Sequence, residues 1–217
     1  MIVTFDCYGT LIDWEAGIIH AFQSAAPDRV SVEPEAIVAA HAAIEPAVQA
    51  RGYQRYRDVL TDVAIEMAPR LGWALDRVNT GFLADSVPTW KPFPDTNAAL
   101  ERLVRAGYRL GILSNIDDDL LAGTRRHFTV DFEVVVTAER IGSYKPAPGH
   151  FEEARRRIGE EEWLHAAASY FHDVEPAAAN GIPVVWVNRT GARPTGTARP
   201  DAEVRDLTGL ADWLAVG

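Results

Sequence analysis

The chain has 217 residues, 47% of them hydrophobic, and carries a net charge of −10 with a pI near 5.0. That length and apolar content suit one large domain, or one domain with an insertion, with a sizeable buried core. The acidic balance argues against nucleic acid or an anionic membrane surface as partner, though a cationic pocket for a small anion can still sit inside an acidic protein. Cys7 is the single cysteine, which excludes an internal disulfide and fits a reducing, cytoplasmic setting. The N-terminus runs straight into an apolar stretch with no basic region or cleavage site before it. The alanine-rich stretch Ala36–Ile44 is interrupted by His41 and is too short to span a bilayer. There is no internal repeat.

Ile2-Val3-Thr4-Phe5 is a short apolar run that ends in Asp6, with Gly9 turning the chain three residues later. It reads as a buried strand that delivers a carboxylate to the carboxyl edge of a sheet, where open α/β folds bind ligands. A carboxylate so placed is a candidate nucleophile.

From about Asp13 to Asp85 the apolar residues fall at helical spacing. Ile18, Ile19 and Phe22 form one stripe, Ile37, Ala40, Ile44 and Val48 a second, and Val59, Val63 and Met67 a third. Pro27, Pro34, Gly52 and the segment 69–72 punctuate this block into three or four helices. Val87–Asp95 holds three prolines and reads as a stiff connector and domain hinge.

After Asp95 strands and helices alternate. Asp95 is placed to cap a helix running to Ala106, with Gly107 at its end. The spacing predicts strands over 108–115, 132–137, 166–171 and 183–187. Helices are expected over 148–158, 175–180 and 207–215. This rhythm implies an α/β fold with a doubly wound parallel sheet. The expected α/β domain is 1–13 with 92–217, and the helical block 14–91 is an inserted cap over the sheet's carboxyl edge.

Polar groups stand at the predicted strand ends or in the loops that follow: Asp6; Ser114 and Asn115; Lys145; and Asp173. In a parallel sheet these ends lie side by side, so the residues can converge. In order and spacing they resemble the haloacid dehalogenase superfamily of hydrolases, and the resemblance covers nearly the whole chain, inserted cap included. That family carries an aspartate nucleophile in a D-x-x-G-T turn, a Ser or Thr after the second strand, a lysine, and a terminal acidic motif. Its phosphatase branch has a second aspartate two residues after the nucleophile, where this chain has Tyr8. Its metal-binding acid aligns with Ala168. A phosphate ester's alkoxide needs a proton and magnesium wants hard oxygen ligands, whereas a halide leaves as a stable anion and needs neither.

The chain therefore looks most like the metal-independent 2-haloacid dehalogenases, with no cofactor and no metal. The resemblance implies that Asp6 displaces halide to form an aspartyl ester, with Lys145 keeping Asp6 ionised. Ser114 and the backbone N–H groups near Tyr8 and Leu11 would hold the carboxylate of a small substrate, and Asn115 would meet the leaving halide. Asp173, with Lys145, would position the water that hydrolyses the ester. A homodimer is expected on the same ground. The halide-cradling arginine expected on the cap falls near His41, with Arg51, Arg55 or Arg57 as substitutes. A tyrosine expected after the lysine is Phe151, and the serine and asparagine of the last motif are Ala168 and Tyr170.

Two other readings stand beside this one. A magnesium-dependent phosphatase of a small metabolite is disfavoured by Tyr8 and Ala168. A non-catalytic protein binding a small molecule or partner is opposed by the intact Asp6, Ser114, Lys145 and Asp173. Taken singly, each residue has a plainer role. Asp6 could cap a turn, Ser114 and Asn115 could satisfy backbone groups, Asp173 could cap the helix near Glu175, and Lys145 could be a surface lysine.

Overall fold

The computed structural model describes residues 1–216 except Arg29 and Arg77; Gly217, the end of the expected α/β domain, lies outside the described residues. The chain forms two compact units. One comprises 1–13, 92–115 and the chain from Arg126 onward. The other comprises 14–91 and 116–125, so the segment after Asn115 groups with the helices rather than with the sheet.

The first unit is built on a six-stranded sheet of β1 (Ile2–Phe5), β2 (Arg109–Ser114), β3 (Val134–Thr137), β4 (Trp163–Ala167), β5 (Val184–Val187) and β6 (Ala202–Val204). Every pairing is parallel and the spatial order is β3-β2-β1-β4-β5-β6. The order reverses at β1, which lies between β2 and β4, and the crevice beyond the carboxyl ends of such strands is where ligands bind in doubly wound sheets. All four residues of β1 and all five of β4 are buried, which explains why both strands are apolar except for Thr4 and His165.

Side chains alternate across the sheet, so Ile2, Leu113, Val136, Trp163, Val184 and Trp186 share one face. There they pack with Phe151 and Ala154 of helix Gly149–Ile158 and with Ala177 of helix Glu175–Ala179. Helix Thr96–Arg105 buries Ala99, Leu100 and Leu103 and packs against helix Leu207–Val216.

Two sequence expectations fail here. The strand expected over 166–171 starts and ends earlier, as β4. The chain leaves extended geometry at Ala168, whose N–H bonds the Thr10 hydroxyl (2.9 Å), and then makes a π-helical turn over Tyr170–Val174, begun by Ser169 Oγ accepting from the His172 N–H (3.1 Å). Asp95 precedes helix Thr96–Arg105 but its side chain does not cap it. The carboxylate instead takes two N–H groups of Arg189 (3.0 Å each) and the Leu207 N–H (2.8 Å), joining three distant segments.

The second unit holds helices Trp14–Ala25, Pro34–Gln49, Tyr56–Arg70, Phe82–Ser86 and Asp118–Thr124. Ile18 and Phe22, Ile37, Ile44 and Val48, and Val59, Val63 and Met67 are all buried. Trp90 lies flat on Gly17, where an added Cβ would stand 2.3 Å from the indole. Asp117, itself buried, accepts the N–H groups of Tyr56 and Arg57 (2.9 Å each) and so caps helix Tyr56–Arg70 from another segment. Among the described residues no helix is long and apolar enough to cross a membrane.

Candidate active site

β1 ends at Phe5 and delivers Asp6 to the carboxyl edge. The chain then folds back tightly: Leu11 and Ile12 N–H both donate to the Cys7 carbonyl (2.8 and 2.9 Å), and Gly9 takes a φ of 95° that a side chain would oppose. This turn brings Thr10 beneath the nucleophile candidate, and its hydroxyl donates to Asp6 Oδ2 at 3.0 Å. The turn also settles Leu11. Its N–H, expected to hold a substrate carboxylate, is already used by Cys7, because a loop this tight must satisfy its own donors. Tyr8 sits half-buried on the same loop.

Lys145 follows β3 and reaches into this edge with its side chain 1% exposed. Its ammonium touches Asp6 Oδ1 (3.0 Å), Asp173 Oδ1 (2.5 Å) and the Leu113 carbonyl (2.8 Å). An ammonium has three N–H donors, and all three are placed. Asp173 lies in the π-helical turn, wholly buried, and does not cap the helix after it. Its Oδ1 also meets His165 Nε2 at 3.0 Å, while its Oδ2 is buried without a hydrogen-bond partner.

The charges are uneven. Burial pushes the Asp6 carboxyl above its ordinary 3.8, Asp173 adds to that, and Lys145 and Thr10 oppose it without reversing it. For Asp173 burial also acts upward, but Lys145 and His165 prevail and hold it well below the usual carboxylate range. Burial alone would depress Lys145; the charges of Asp173 and Asp6 raise it instead, so it stays an ammonium. Lys145 therefore favours the ionised Asp6, as expected, but burial outweighs it and the net shift of Asp6 is upward.

Ser114 ends β2 with its hydroxyl buried and without a hydrogen-bond partner, while its carbonyl meets His150 Nε2 at 3.1 Å. Asn115 makes a two-way pair with the Lys145 backbone: Nδ2 donates to its carbonyl (3.0 Å) and Oδ1 accepts its N–H (2.7 Å). Asn115 therefore fixes the loop that carries the lysine. The arginines offered as halide cradles are engaged within the helical unit. Arg51 pairs with Glu66, Arg55 with Asp119, and Arg57 with Asp85 and Asp119. His41 is buried beside Trp14, and burial lowers its pKa to about 4, so it brings no cation at neutral pH. Phe151 and Tyr170 are core residues, the latter donating its hydroxyl to the Ala198 carbonyl.

Sequence reading missed Thr4 and His165. They face each other in register across β1 and β4, and the Thr4 hydroxyl lies 2.8 Å from His165 Nδ1. Trp163, two residues before His165 on the same face, donates its indole N–H to that hydroxyl at 2.7 Å. The available signal was two polar residues inside otherwise apolar strands.

A buried carboxylate with one ammonium and one hydroxyl contact can attack carbon, and a second carboxylate with an open oxygen can hold a water. Among the described residues no cluster of three His, Cys, Asp or Glu suits a metal ion. The family model for haloacid dehalogenase-like hydrolases matches residues 1–171. An (S)-2-haloacid dehalogenase of Pseudomonas putida is 30% identical, over 98% of this chain and 96% of its own length. A glyceraldehyde 3-phosphate phosphatase of Methanothermobacter thermautotrophicus is 34% identical over 45% of each chain. The solved L-2-haloacid dehalogenase of Xanthobacter autotrophicus, with chloropropionic acid covalently bound, superposes with a TM-score of 0.84 at 24% identity, covering 99% of each chain.

Proposed function

Because the chain belongs to the haloacid dehalogenase-like hydrolase family, we propose that it hydrolyses the carbon–halogen bond of a small (S)-2-haloacid through an ester on Asp6, without a metal ion. The observation that carries this reading is the placement of Lys145. A divalent cation would need the site's carboxylates, and Asp6 and Asp173 are already bridged by one buried ammonium. Tyr8 and Ala168 supply no further acid.

In the first step a carboxylate oxygen of Asp6 attacks the halogen-bearing carbon from behind. The carbon–halogen bond breaks, halide leaves with the bonding pair, and the carbon inverts. Lys145 and Thr10 aim the attacking carboxylate. The unpartnered Ser114 hydroxyl receives the substrate carboxylate, Tyr8 and Leu11 line the same loop, and the second N–H of Asn115 Nδ2 is left for the halide. In the second step Asp173 Oδ2 accepts a hydrogen bond from a water whose oxygen attacks the Asp6 carbonyl carbon. As that bond forms the water passes one proton to Asp173 Oδ2. The tetrahedral adduct then expels the 2-hydroxy acid oxygen, which takes up the water's remaining proton, so Asp6 returns as a carboxylate and Asp173 releases its proton to solvent. Lys145 offsets the negative charge that develops on the Asp6 carbonyl oxygen. A homodimer and a cytoplasmic setting belong to the same reading.

The partial likeness to a phosphatase keeps a magnesium-dependent phosphatase as the second reading. A parallel assay separates them: halide release from 2-chloropropionate, and phosphate release from a generic phosphate ester, each with and without Mg²⁺, on wild type and Asp6→Asn. Metal-free halide release that is lost in Asp6→Asn is the expected result. Phosphate release that requires Mg²⁺, with no halide release, would sink the proposal.

A further inference from the structure

We infer that Trp163, Thr4 and His165 form a one-way hydrogen-bond relay that positions Asp173, choosing Oδ2 as the oxygen that holds the hydrolytic water. The role assigned to Oδ2 rests on the proposed ester mechanism; the relay itself rests on geometry alone.

The direction of the relay follows from donor and acceptor bookkeeping. An indole N–H can only donate, so the Trp163 contact at 2.7 Å makes Thr4 Oγ1 an acceptor there. The Thr4 hydroxyl proton then needs an acceptor. Thr4 is wholly buried, and the partner on its other side is His165 Nδ1 at 2.8 Å. Nδ1 therefore receives and carries no proton. In a neutral imidazole the proton is then on Nε2, which points at Asp173 Oδ1, 3.0 Å away. Each proton finds an acceptor in this order, and a doubly protonated His165 would leave the Thr4 proton without one.

The consequence lies at Asp173. Its Oδ1 collects two strong donors, the Lys145 ammonium at 2.5 Å and His165 Nε2–H, while Oδ2 has none and is buried. A buried carboxylate oxygen without a donor is costly unless a water fills it. The relay thus fixes the carboxylate's rotation, so that one oxygen is saturated and the other is the sole open acceptor. The groups that act on the Asp173 charge are Lys145, His165 and Asp6, with His150 and His172 near them. The register makes this arrangement rigid. Thr4 and His165 are opposed in the β1–β4 ladder, Trp163 is one alternate position back, and Phe151 closes the same face with its ring centroid 5.3 Å from His165.

The test compares His165→Leu, which removes the donor, with His165→Gln, whose amide can replace the Nε2–H. The first readout needs no substrate. In wild type, nitrogen-15 shifts are expected to show the His165 proton on Nε2 and not on Nδ1. The Asp173 side-chain carbon is expected to titrate at higher pH in His165→Leu and near the wild-type value in His165→Gln. An Nδ1–H tautomer, or an unchanged Asp173 titration in a folded His165→Leu, overturns the relay. The second readout is rapid-quench turnover of 2-chloropropionate. His165→Leu is expected to keep the first-turnover halide burst while steady-state release falls at least ~10-fold; His165→Gln recovers most of it. A slowed burst with unchanged ester hydrolysis overturns the assignment of Oδ2. Absence of halide release from wild type overturns the assignment of Oδ2 together with the dehalogenase reading, while the nitrogen-15 and carbon titrations still decide the relay.

Discussion

Lys145 has three donors and three buried acceptors, and each end of that arrangement makes a different prediction. Replacing it with methionine leaves Asp6 and Asp173 facing each other without a cation. Breaking a buried pair in this way costs about 3–5 kcal/mol, so Lys145→Met should unfold at clearly lower denaturant concentration, and halide release should drop at least ~100-fold. Asp6 and Asp173 also respond oppositely to pH. Asp173, held low, contributes stability that is present above the ordinary 3.8 and lost as pH falls through its depressed value. Asp6, held high, contributes in the reverse sense: its share is complete below 3.8 and lost as pH rises through its elevated value. Because Asp6 must be ionised to attack, the acid limb of halide release should have its midpoint above 3.8. A pH–rate profile with saturating 2-chloropropionate checks this, and a midpoint below 3.8 would contradict it.

At the scale of elements, helix Tyr56–Arg70 depends on a residue outside itself. Asp117→Ala removes the acceptor for two N-terminal N–H groups and should cost ~1–2 kcal/mol, read as a shift in thermal midpoint. Gly17→Ala should cost ~1–3 kcal/mol through overpacking against Trp90. These dependencies also show what could be read without coordinates. Asp6, Lys145 and Asp173 were legible because a charged residue at the end of an apolar run, or next to it, has few structural uses. The stripes through Ile18, Ile44 and Val63 were legible from period alone. The strand at 166–171 was misread because alanines and aromatics there suit a strand locally, while the turn after Ala167 is dictated by Thr10 and Ser169. Thr4 and His165 stayed hidden because their pairing depends on the register of strands 161 residues apart. Asp95 looked like a cap because its real partners, Arg189 and Leu207, lie about a hundred residues away in sequence.

For the whole molecule, His41 and His150 are two buried histidines that lower stability on the acid side. Burial lowers both His41 and His150 from 6.5 to about 4. Between those values the unfolded chain binds protons that the folded one refuses, so stability falls as pH drops from 6.5 towards 4. Each contributes on the order of 3 kcal/mol at most, taking about 1.4 kcal/mol per unit. Denaturant titrations from pH 7.5 to 4.5 should show the decline, and His150→Gln should flatten it; a stability independent of pH over that range would contradict the assignment. The central claim, that Asp6 forms an ester with the substrate, is tested most directly by one turnover with enzyme in excess in oxygen-18 water. The released 2-hydroxy acid is expected to carry ordinary oxygen while the peptide containing Asp6 gains the label. Label in the product of that first turnover, with Asp6 unlabelled, would mean that water attacks the substrate directly and would contradict it.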